Sequence, residues 1–343
     1  MRSFQTILVT GIAGFIGFHL AKRLLEDGHR VIGIDNLNTY YDVDLKYARL
    51  QQLGVSKNNS EFYNREVKSD TYEALVFYQL KLEDRANLPK LFLNHKIDVV
   101  CNLAAQAGVR YSIENPDVYV DTNVTGFLNI LECMRHHHVQ KLVYASSSSV
   151  YGNTDQVPFS VDQNVDHPIS LYAATKKSNE LFAHTYSHLF GIQTIGLRFF
   201  TVYGPWGRPD MAAYLFIDAI TKDKPIQVFN NGELSRDFTY IDDIVDGVEK
   251  VIKTDLPDDR KYGIYNIGNS TPVNLLNFIE EIENSLGKTA QKIMMPMQPG
   301  DVNQTWADVS NLENDFGYKP ATTISTGISR FVAWYKEYHD IDQ

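Results

Sequence analysis

The chain has 343 residues, 43% of them hydrophobic and 22% charged, which is typical of a globular protein with a large buried core. Its formal net charge of −10 argues against nucleic acid or an anionic membrane as a partner. No segment reaches the roughly 18 apolar residues of a membrane span, and the N-terminus lacks the apolar stretch of a signal peptide. Cys101 and Cys133 lack CxxC spacing, so we expect reduced, buried thiols in a cytoplasmic protein.

Short apolar strands and helical stretches alternate through the first part of the chain. The predicted elements in chain order are a strand from Thr6, a helix from Phe15 to about Gly28, a strand ending at Asp35, a weaker strand near Phe77, a strand ending near Ala104, a helix from Asp117 to His137, a strand in KLVYASS, a helix from about Leu171 to Phe190 and a strand in IQTIGLRF. This alternation predicts an α/β fold with a doubly wound parallel sheet and helices on both of its faces.

The regular alternation of strands and helices ends after Phe199, where loops containing Gly and Pro alternate with short helices and strands. This part of the chain predicts a smaller C-terminal α+β lobe over the carboxyl ends of the strands, where open α/β sheets bind ligands. The helical stretch that begins at Tyr240 is expected to return to the first domain. We therefore divide the chain into a first domain of residues 1–198, to which residues 237–265 return, and a second lobe of residues 199–236 and 266–343.

A glycine motif lies between the first predicted strand and the first predicted helix. Gly11, Gly14 and Gly17 form GxxGxxG, which allows the pyrophosphate of a dinucleotide to approach the backbone at a helix N-terminus. Asp35 ends the second strand, where an acid binds the hydroxyls of the adenosine ribose and repels a 2′-phosphate. The pattern predicts NAD, rather than NADP, as the cofactor.

A tyrosine and a lysine lie one helical turn apart after a serine-rich strand end. Tyr172 and Lys176 share a helix face, and residues 146–149 are four serines with no acid among them. A lysine ammonium at ~5 Å contributes roughly 3 kcal/mol at an effective dielectric constant of 20, enough to lower a tyrosine pKa by about two. The positive nicotinamide ring of oxidised NAD adds to this effect, so we expect Tyr172 to be substantially ionised near pH 7 and to accept a hydroxyl proton while NAD takes a hydride.

Three consecutive histidines, His136 to His138, follow the long predicted helix. Consecutive side chains at a helix end do not converge on one ion, whereas histidines near the last carbonyls interact favourably with the helix dipole. We therefore predict no metal site here.

Together these motifs resemble the extended short-chain dehydrogenase/reductase family over essentially the whole chain, and within it the nucleotide-sugar epimerases. The resemblance implies a Rossmann first domain, a UDP-sugar lobe, a homodimer formed through two long helices per subunit, and a role in polysaccharide biosynthesis. It makes Tyr172 the base, Lys176 the residue that lowers the pKa of that base, and Ser147 the catalytic hydroxyl, with Ser148 and Ser149 as the alternatives. The cofactor-binding set is expected to be Gly11, Gly14, Phe15, Ile16, Gly17, Asp35, Asn36, Ala104, Ala105, Asn123, Tyr172 and Lys176.

The stretches DNLNTYYD, NLAAQAGVRYS, ASSSSVYG, RFFTVYGPWGRPDMA and QPGD are similar to those of UDP-glucuronate 4-epimerases. The resemblance implies that Thr201 leaves room for a sugar carboxylate and that Arg208 pairs with it. The full set of expected substrate-binding residues is Arg110, Ser147, Ser148, Thr201, Arg208, Phe229, Arg236 and Asp301.

Two positions depart from the pattern of many relatives. Lys81 stands at the position where many relatives have an Asp that contacts adenine. Gln298 stands where galactose epimerases have an Arg that binds the diphosphate. The first departure puts the adenine contact in doubt, whereas the second fits the glucuronate enzymes.

Three alternative functions remain open. UDP-glucuronate decarboxylases and nucleotide-sugar dehydratases share this scaffold but carry acids in the serine stretch, where this chain has Ser147 and Ser148. An epimerase acting on UDP-glucose or UDP-N-acetylglucosamine would need no partner for a sugar carboxylate. An NAD-binding regulatory protein without turnover would not need the intact Ser, Tyr and Lys set.

Overall fold

An eight-stranded sheet forms the centre of the structure, a computed structural model that describes residues 4–297 and 302–341. The strands of the described chain are β1 (Thr6–Thr10), β2 (Arg30–Asp35), β3 (Val67–Lys68), β4 (Leu75–Gln79), β5 (Val99–Asn102), β6 (Lys141–Ser147), β7 (Gln193–Phe199), β8 (Thr201–Tyr203), β9 (Ile226–Phe229), β10 (Ser235–Tyr240), β11 (Tyr262–Ile267), β12 (Pro272–Asn274) and β13 (Lys292–Met295).

Helices cover both faces of this sheet and build much of the second lobe. The α-helices are α1 (Phe15–Glu26), α2 (Val43–Gln52), α3 (Lys57–Ser60), α4 (Leu88–Asn94), α5 (Tyr111–Glu114), α6 (Pro116–Tyr119), α7 (Gly126–His136), α8 (Leu171–Phe190), α9 (Ala212–Thr221), α10 (Ile241–Lys253), α11 (Leu275–Leu286), α12 (Ser310–Phe316) and α13 (Ile324–Tyr338). A π-helix spans Val120–Thr125, and 3₁₀ turns span Ser148–Tyr151, Asn230–Gly232 and Pro257–Asp259.

The strand order of the large sheet is β11-β7-β6-β5-β1-β2-β4-β3, and every neighbouring pair is parallel except β4 with β3. The predicted doubly wound parallel sheet is confirmed, with all six strands that the sequence indicated. The strand β3 was missed because two residues carry no periodicity. The chain runs from β1 outward in both directions, so β1, β2 and β5 flank a crevice at their carboxyl ends, where such sheets bind ligands.

The long helix predicted from Asp117 to His137 is helical but not uniform. It starts one residue earlier in α6, passes through the π-helix, and ends in α7 at His136. A π-turn widens the helix locally and is common at functional sites. Here it contains Asn123, whose side chain is buried.

The second lobe contains two small sheets, β12-β10-β8 and β13-β9. Its core includes the rings of Phe238 and Phe278, stacked with centroids 3.9 Å apart. From β10 the chain enters α10, which packs on α1, and β11 then joins the edge of the large sheet beside β7. The division into residues 1–198 with 237–265, and 199–236 with 266–343, stays a prediction.

Both cysteines are free and buried, as expected, and burial raises the pKa of each thiol. Within the described ranges, no helix combines the length and the apolar character needed to cross a membrane.

Candidate active site

The glycine loop between β1 and α1 is shaped for close approach of a ligand to the backbone. Gly11 has a φ of +73°, and a Cβ there would lie 2.9 Å from the Ala104 nitrogen. At Gly17 a Cβ would lie 2.1 Å from the Gly11 oxygen, so any side chain would push the loop away from the helix. Helix α1 begins at Phe15 without a side-chain cap, which leaves its first amides available for an anion such as a pyrophosphate.

Asp35 ends β2 directly beside this loop and is buried. Its carboxylate accepts hydrogen bonds from the Ala13 nitrogen at 3.1 Å and the Leu37 nitrogen at 2.9 Å. Each carboxylate oxygen can accept a further bond, so the residue suits a ribose diol. Asn36 follows it and is half-buried.

The segment after β5 forms the opposite wall of the crevice. The Ala104 nitrogen donates to Thr10 Oγ1 at 3.0 Å, and Ala105 follows it, half-buried. Asn123 accepts a bond from the Gln106 nitrogen at 2.8 Å and donates to the Gln106 carbonyl at 3.0 Å. Its amide therefore holds this wall in place, and its direct contact with the cofactor stays a prediction.

Helix α8 carries Tyr172 and Lys176 on one face, as the spacing predicted, and the end of β6 brings Ser147 to them. The Ser147 hydroxyl is close enough to the Tyr172 phenol to lower its pKa. Lys176 Nζ lies 6.0 Å from the centroid of the Tyr172 ring and donates to the Ala145 carbonyl at 2.8 Å. The helix begins at a Ser170 cap, whose hydroxyl accepts from the Ala173 nitrogen at 3.1 Å.

The electrostatics of this set differ from the expectation that Lys176 makes Tyr172 ionised near neutral pH. Burial raises the pKa of Tyr172, and the Ser147 hydroxyl and the charge of Arg208 oppose that rise. Burial also lowers the pKa of Lys176 to about 8. For the groups of the protein itself, desolvation therefore outweighs the influences that lower the pKa of Tyr172, and Lys176 is not among the causes of its shift.

A buried ion pair that the sequence did not predict lies behind these residues. Glu180 accepts two hydrogen bonds from Arg198, at 2.8 and 2.9 Å, and a third from Ser146 Oγ at 2.6 Å. It thereby ties α8 to β6 and β7. Glu180 lies one turn after Lys176 on the same helix. This spacing was the only feature of the sequence that could have placed Glu180 near the reacting residues.

The predicted carboxylate partner Arg208 already has a partner in the protein. Its Nε donates to Asp210 at 3.0 Å, and Nη2 donates to the other oxygen of the same carboxylate. Asp210 also accepts a bond from the Tyr40 hydroxyl at 3.1 Å. Arg208 remains close enough to Tyr172 to lower its pKa. Neither Asp210 nor Tyr40 was identified from the sequence, because the Arg208 position alone carried the family resemblance.

The remaining substrate candidates are spread along the second lobe. Thr201 is half-buried at the start of β8 and is paired with Phe238 of β10. Arg110 lies with its guanidinium carbon 4.9 Å from the ring centroid of Phe229. Arg236 donates to the carbonyls of Ser235 at 2.9 Å and Asn303 at 3.2 Å. Ser148 is half-buried just after β6, and Asp301 and Gln298 lie outside the described residues.

The other two positions that the sequence singled out have ordinary surroundings. Lys81 is exposed directly after β4 and its neighbour Leu80. His136 lies 3.4 Å from Glu132, and His137 packs its ring against Phe92. In the described part of the chain, no group of three or more His, Cys, Asp or Glu side chains is arranged to hold a metal ion.

Comparisons with known proteins agree with this geometry. Residues 7–268 match the model of the NAD dependent epimerase/dehydratase family. Protein CapI of Staphylococcus aureus is 52% identical over 97% of this chain and 99% of its own, and a UDP-glucuronate 4-epimerase of Thermodesulfobacterium geofontis is 44% identical over 96% of each chain.

A solved structure has the same fold over nearly its whole length. The crystal structure of UDP-glucuronic acid 4-epimerase from Bacillus cereus, in complex with UDP-glucuronic acid and NAD, superposes with a TM-score of 0.86 at 34% identity, covering 97% of this chain and 99% of that one. The resemblance inferred from the motifs is thereby confirmed, and the chain belongs to the NAD dependent epimerase/dehydratase family.

Proposed function

We propose that the protein is a UDP-glucuronate 4-epimerase, which interconverts UDP-glucuronate and UDP-galacturonate through a 4-keto intermediate. The observation that carries the proposal is the placement of the Ser147 hydroxyl and the Arg208 guanidinium beside Tyr172, where both lower the pKa of that tyrosine. A tyrosine base, a cation suited to a carboxylate, and a serine run without an acid fit this reaction better than an elimination.

The residues of the chain divide the chemical work. Tyr172 accepts the proton of the carbon 4 hydroxyl, and Ser147 orients the same oxygen. The Ser147 hydroxyl and the Arg208 charge both favour the phenolate. On return, Tyr172 gives the proton back to the carbon 4 oxygen, so the site ends in the protonation state in which it began.

The cofactor is NAD, in keeping with the family and with solved relatives. When bound, NAD takes the hydride of carbon 4 and returns it to the opposite face of the sugar. We assign its binding to the glycine loop with Phe15 and Ile16, to Asp35 and Asn36, to the wall formed by Ala104, Ala105 and Asn123, and to Tyr172 and Lys176. The missing side chains at Gly11 and Gly17 and the acceptors on Asp35 fit this assignment.

The carboxylate of the substrate creates a hazard that the site must control. The 4-keto sugar is a β-keto acid, and it loses carbon dioxide when the carbon 5–carboxylate bond stands perpendicular to the carbonyl plane. We assign Thr201 and Arg208 to hold the carboxylate away from that orientation, because a guanidinium binds a carboxylate in a fixed plane.

The UDP group stays bound while the sugar turns over between the two hydride transfers. Arg236, Arg110 and Asp301 are assigned to the phosphates and the uridine ribose, and Phe229 to the uracil side. The contact between the guanidinium of Arg110 and the ring of Phe229 supports the idea that these two residues form one wall of that site.

We further propose a cytoplasmic homodimer that supplies precursors for polysaccharides, with the two domains divided as the sequence predicted. Leu181 and Leu189 of α8 are 55% and 61% exposed, and they supply apolar surface on one of the two long helices expected to pair.

Proton NMR of purified protein with UDP-glucuronate and no added NAD tests the proposal. UDP-galacturonate with its carboxylate retained would support it and show that bound NAD recycles. UDP-xylose or a 4-keto-pentose would place the protein among the decarboxylases. No change with UDP-glucuronate, together with turnover of UDP-glucose or UDP-N-acetylglucosamine, would identify a neutral substrate instead.

A further inference from the structure

Arg49 is a cation that the proposed reaction does not use, and it is 0% exposed. It lies on α2, between the glycine loop and the second lobe. Its Nη1 donates to the Ala13 carbonyl at 2.9 Å and to the Tyr41 hydroxyl at 2.8 Å. On the other edge, Nη2 donates to the carbonyls of Trp206 at 2.7 Å and Gly207 at 3.4 Å, and Nε donates to Trp206 at 3.2 Å.

The hydrogen-bond partners of Arg49 within residues 4–297 and 302–341 are uncharged. A buried cation without a carboxylate is costly, even when its donors are satisfied. A bound anion close by offsets that cost. Ala13 lies inside the loop between Gly11 and Gly14, and its nitrogen donates to the Asp35 carboxylate, so Arg49 is bonded to the backbone that a bound dinucleotide is expected to contact.

The second-lobe partners of Arg49 directly precede Arg208. This segment, residues 205–207, is held from the first domain at more than one point. His19 of α1 is hydrogen-bonded to the Pro205 carbonyl at 2.9 Å, and the Trp206 ring lies 5.5 Å from the ring of Phe18. Trp206 has a φ of +61°, a strained conformation for a residue of this size, so these contacts maintain its backbone shape.

We infer that Arg49 is a positioning residue that couples the dinucleotide loop to the segment that presents Arg208. NAD bound at the loop would fix the backbone around Ala13, to which Arg49 is bonded, and Arg49 holds Trp206 and Gly207 through their carbonyls. Cofactor retention and recognition of the sugar carboxylate therefore support each other. The part of this inference that concerns the sugar carboxylate rests on the proposed function.

The chemistry of the side chain makes a sharp variant available. A guanidinium has donors on two edges in a fixed plane, so it reaches Ala13 and Trp206 at once. In Arg49→Lys the charge is kept, but a single ammonium does not span both segments. The matched control is Arg23→Lys on α1, which alters an ion pair with Glu249 at 3.3 Å and leaves the hydrogen bonds of Arg49 in place.

The experiment uses holoenzyme that also carries Tyr172→Phe, so that substrate binds without turnover. NAD remaining on the protein during dialysis is measured with and without saturating UDP-glucuronate. Because bound UDP-glucuronate engages Arg208 and thereby the segment that Arg49 ties to the loop, it is expected to slow NAD loss about tenfold in this parent and in the Arg23→Lys variant, and less than about twofold in the Arg49→Lys variant. Undiminished slowing in the Arg49→Lys variant, or no slowing in the parent with either UDP-glucuronate or UDP-glucose, would overturn the inference.

Two additional arms separate the possible causes of failure. Tyr41→Phe removes one hydrogen-bond acceptor of Arg49 and leaves the arginine in place. This variant replaces Arg49→Lys in the test if Arg49→Lys does not fold. An intermediate slowing of about threefold is expected there, and a slowing equal to that of the parent would count against the inference. If UDP-glucose slows NAD loss in an Arg49-dependent way and UDP-glucuronate does not, the coupling stands and the proposed substrate falls.

Discussion

The hydroxyl of Ser147 lies beside the phenol of Tyr172 and opposes the rise that burial imposes on the pKa of that tyrosine. Because the base acts as a phenolate, its pKa decides the pH at which the reaction starts to run.

Ser147→Ala is expected to raise the pKa of Tyr172, since it removes the larger of the two opposing influences. The acid limb of the pH profile of kcat should move to higher pH, and kcat at pH 7 should fall about ten- to a hundredfold. The control is Ser178→Ala on α8, the helix of Tyr172, which removes a hydrogen bond to the Ala174 carbonyl. A uniform loss of rate at every pH would contradict the assignment.

Asp210→Asn is expected to lower the pKa of Tyr172, the opposite of the effect of Ser147→Ala. It removes the negative charge that balances Arg208, whose positive charge lowers the pKa of Tyr172. The acid limb should therefore move to lower pH. The pH profile of kcat measures this shift, and a shift toward higher pH would show that Asp210 mainly holds Arg208 in position.

Lys176→Met is expected to change the pH dependence of stability. Burial lowers the pKa of Lys176 from 10.5 to about 8, so between these values the unfolded chain binds more protons than the folded one. Stability from this group therefore rises with pH through that window, by about 3 kcal/mol in total. Chemical unfolding of the parent and variant from pH 7 to 10.5 should show this rise only in the parent. Parallel curves would contradict the prediction.

Glu180→Gln is expected to cost about 3–5 kcal/mol of folding free energy, because it leaves the buried guanidinium of Arg198 without its counter-charge. The double variant Glu180→Gln with Arg198→Met should recover part of that loss. A double-mutant cycle measured by urea unfolding tests the coupling, and additive losses would exclude it.

Thr201→Ala is expected to release part of the substrate as carbon dioxide and UDP-4-keto-pentose, because the carboxylate of the 4-keto intermediate is held less firmly. Product analysis by NMR, with Thr71→Ala as a control in the turn before β4, measures the leak. Unchanged product purity would remove Thr201 from this role.

Local sequence determined much of the fold and the identity of the reacting residues. The alternation of apolar strands with helical stretches is a short-range pattern, and it indicated six of the eight strands of the large sheet. The glycine spacing and the one-turn separation of Tyr172 from Lys176 are likewise local. They place groups on one loop or one helix face wherever that element packs.

Only the tertiary structure decided the electrostatics and the partners of these groups. Burial, which depends on everything packed around a side chain, raises the pKa of Tyr172 and lowers that of Lys176, against the effect expected from their proximity. The pairing of Arg198 with Glu180 joins two consecutive elements, and the span of Arg49 from Ala13 to Trp206 joins segments far apart in the chain. Periodicity carries no record of such contacts, because they are set by how the elements pack.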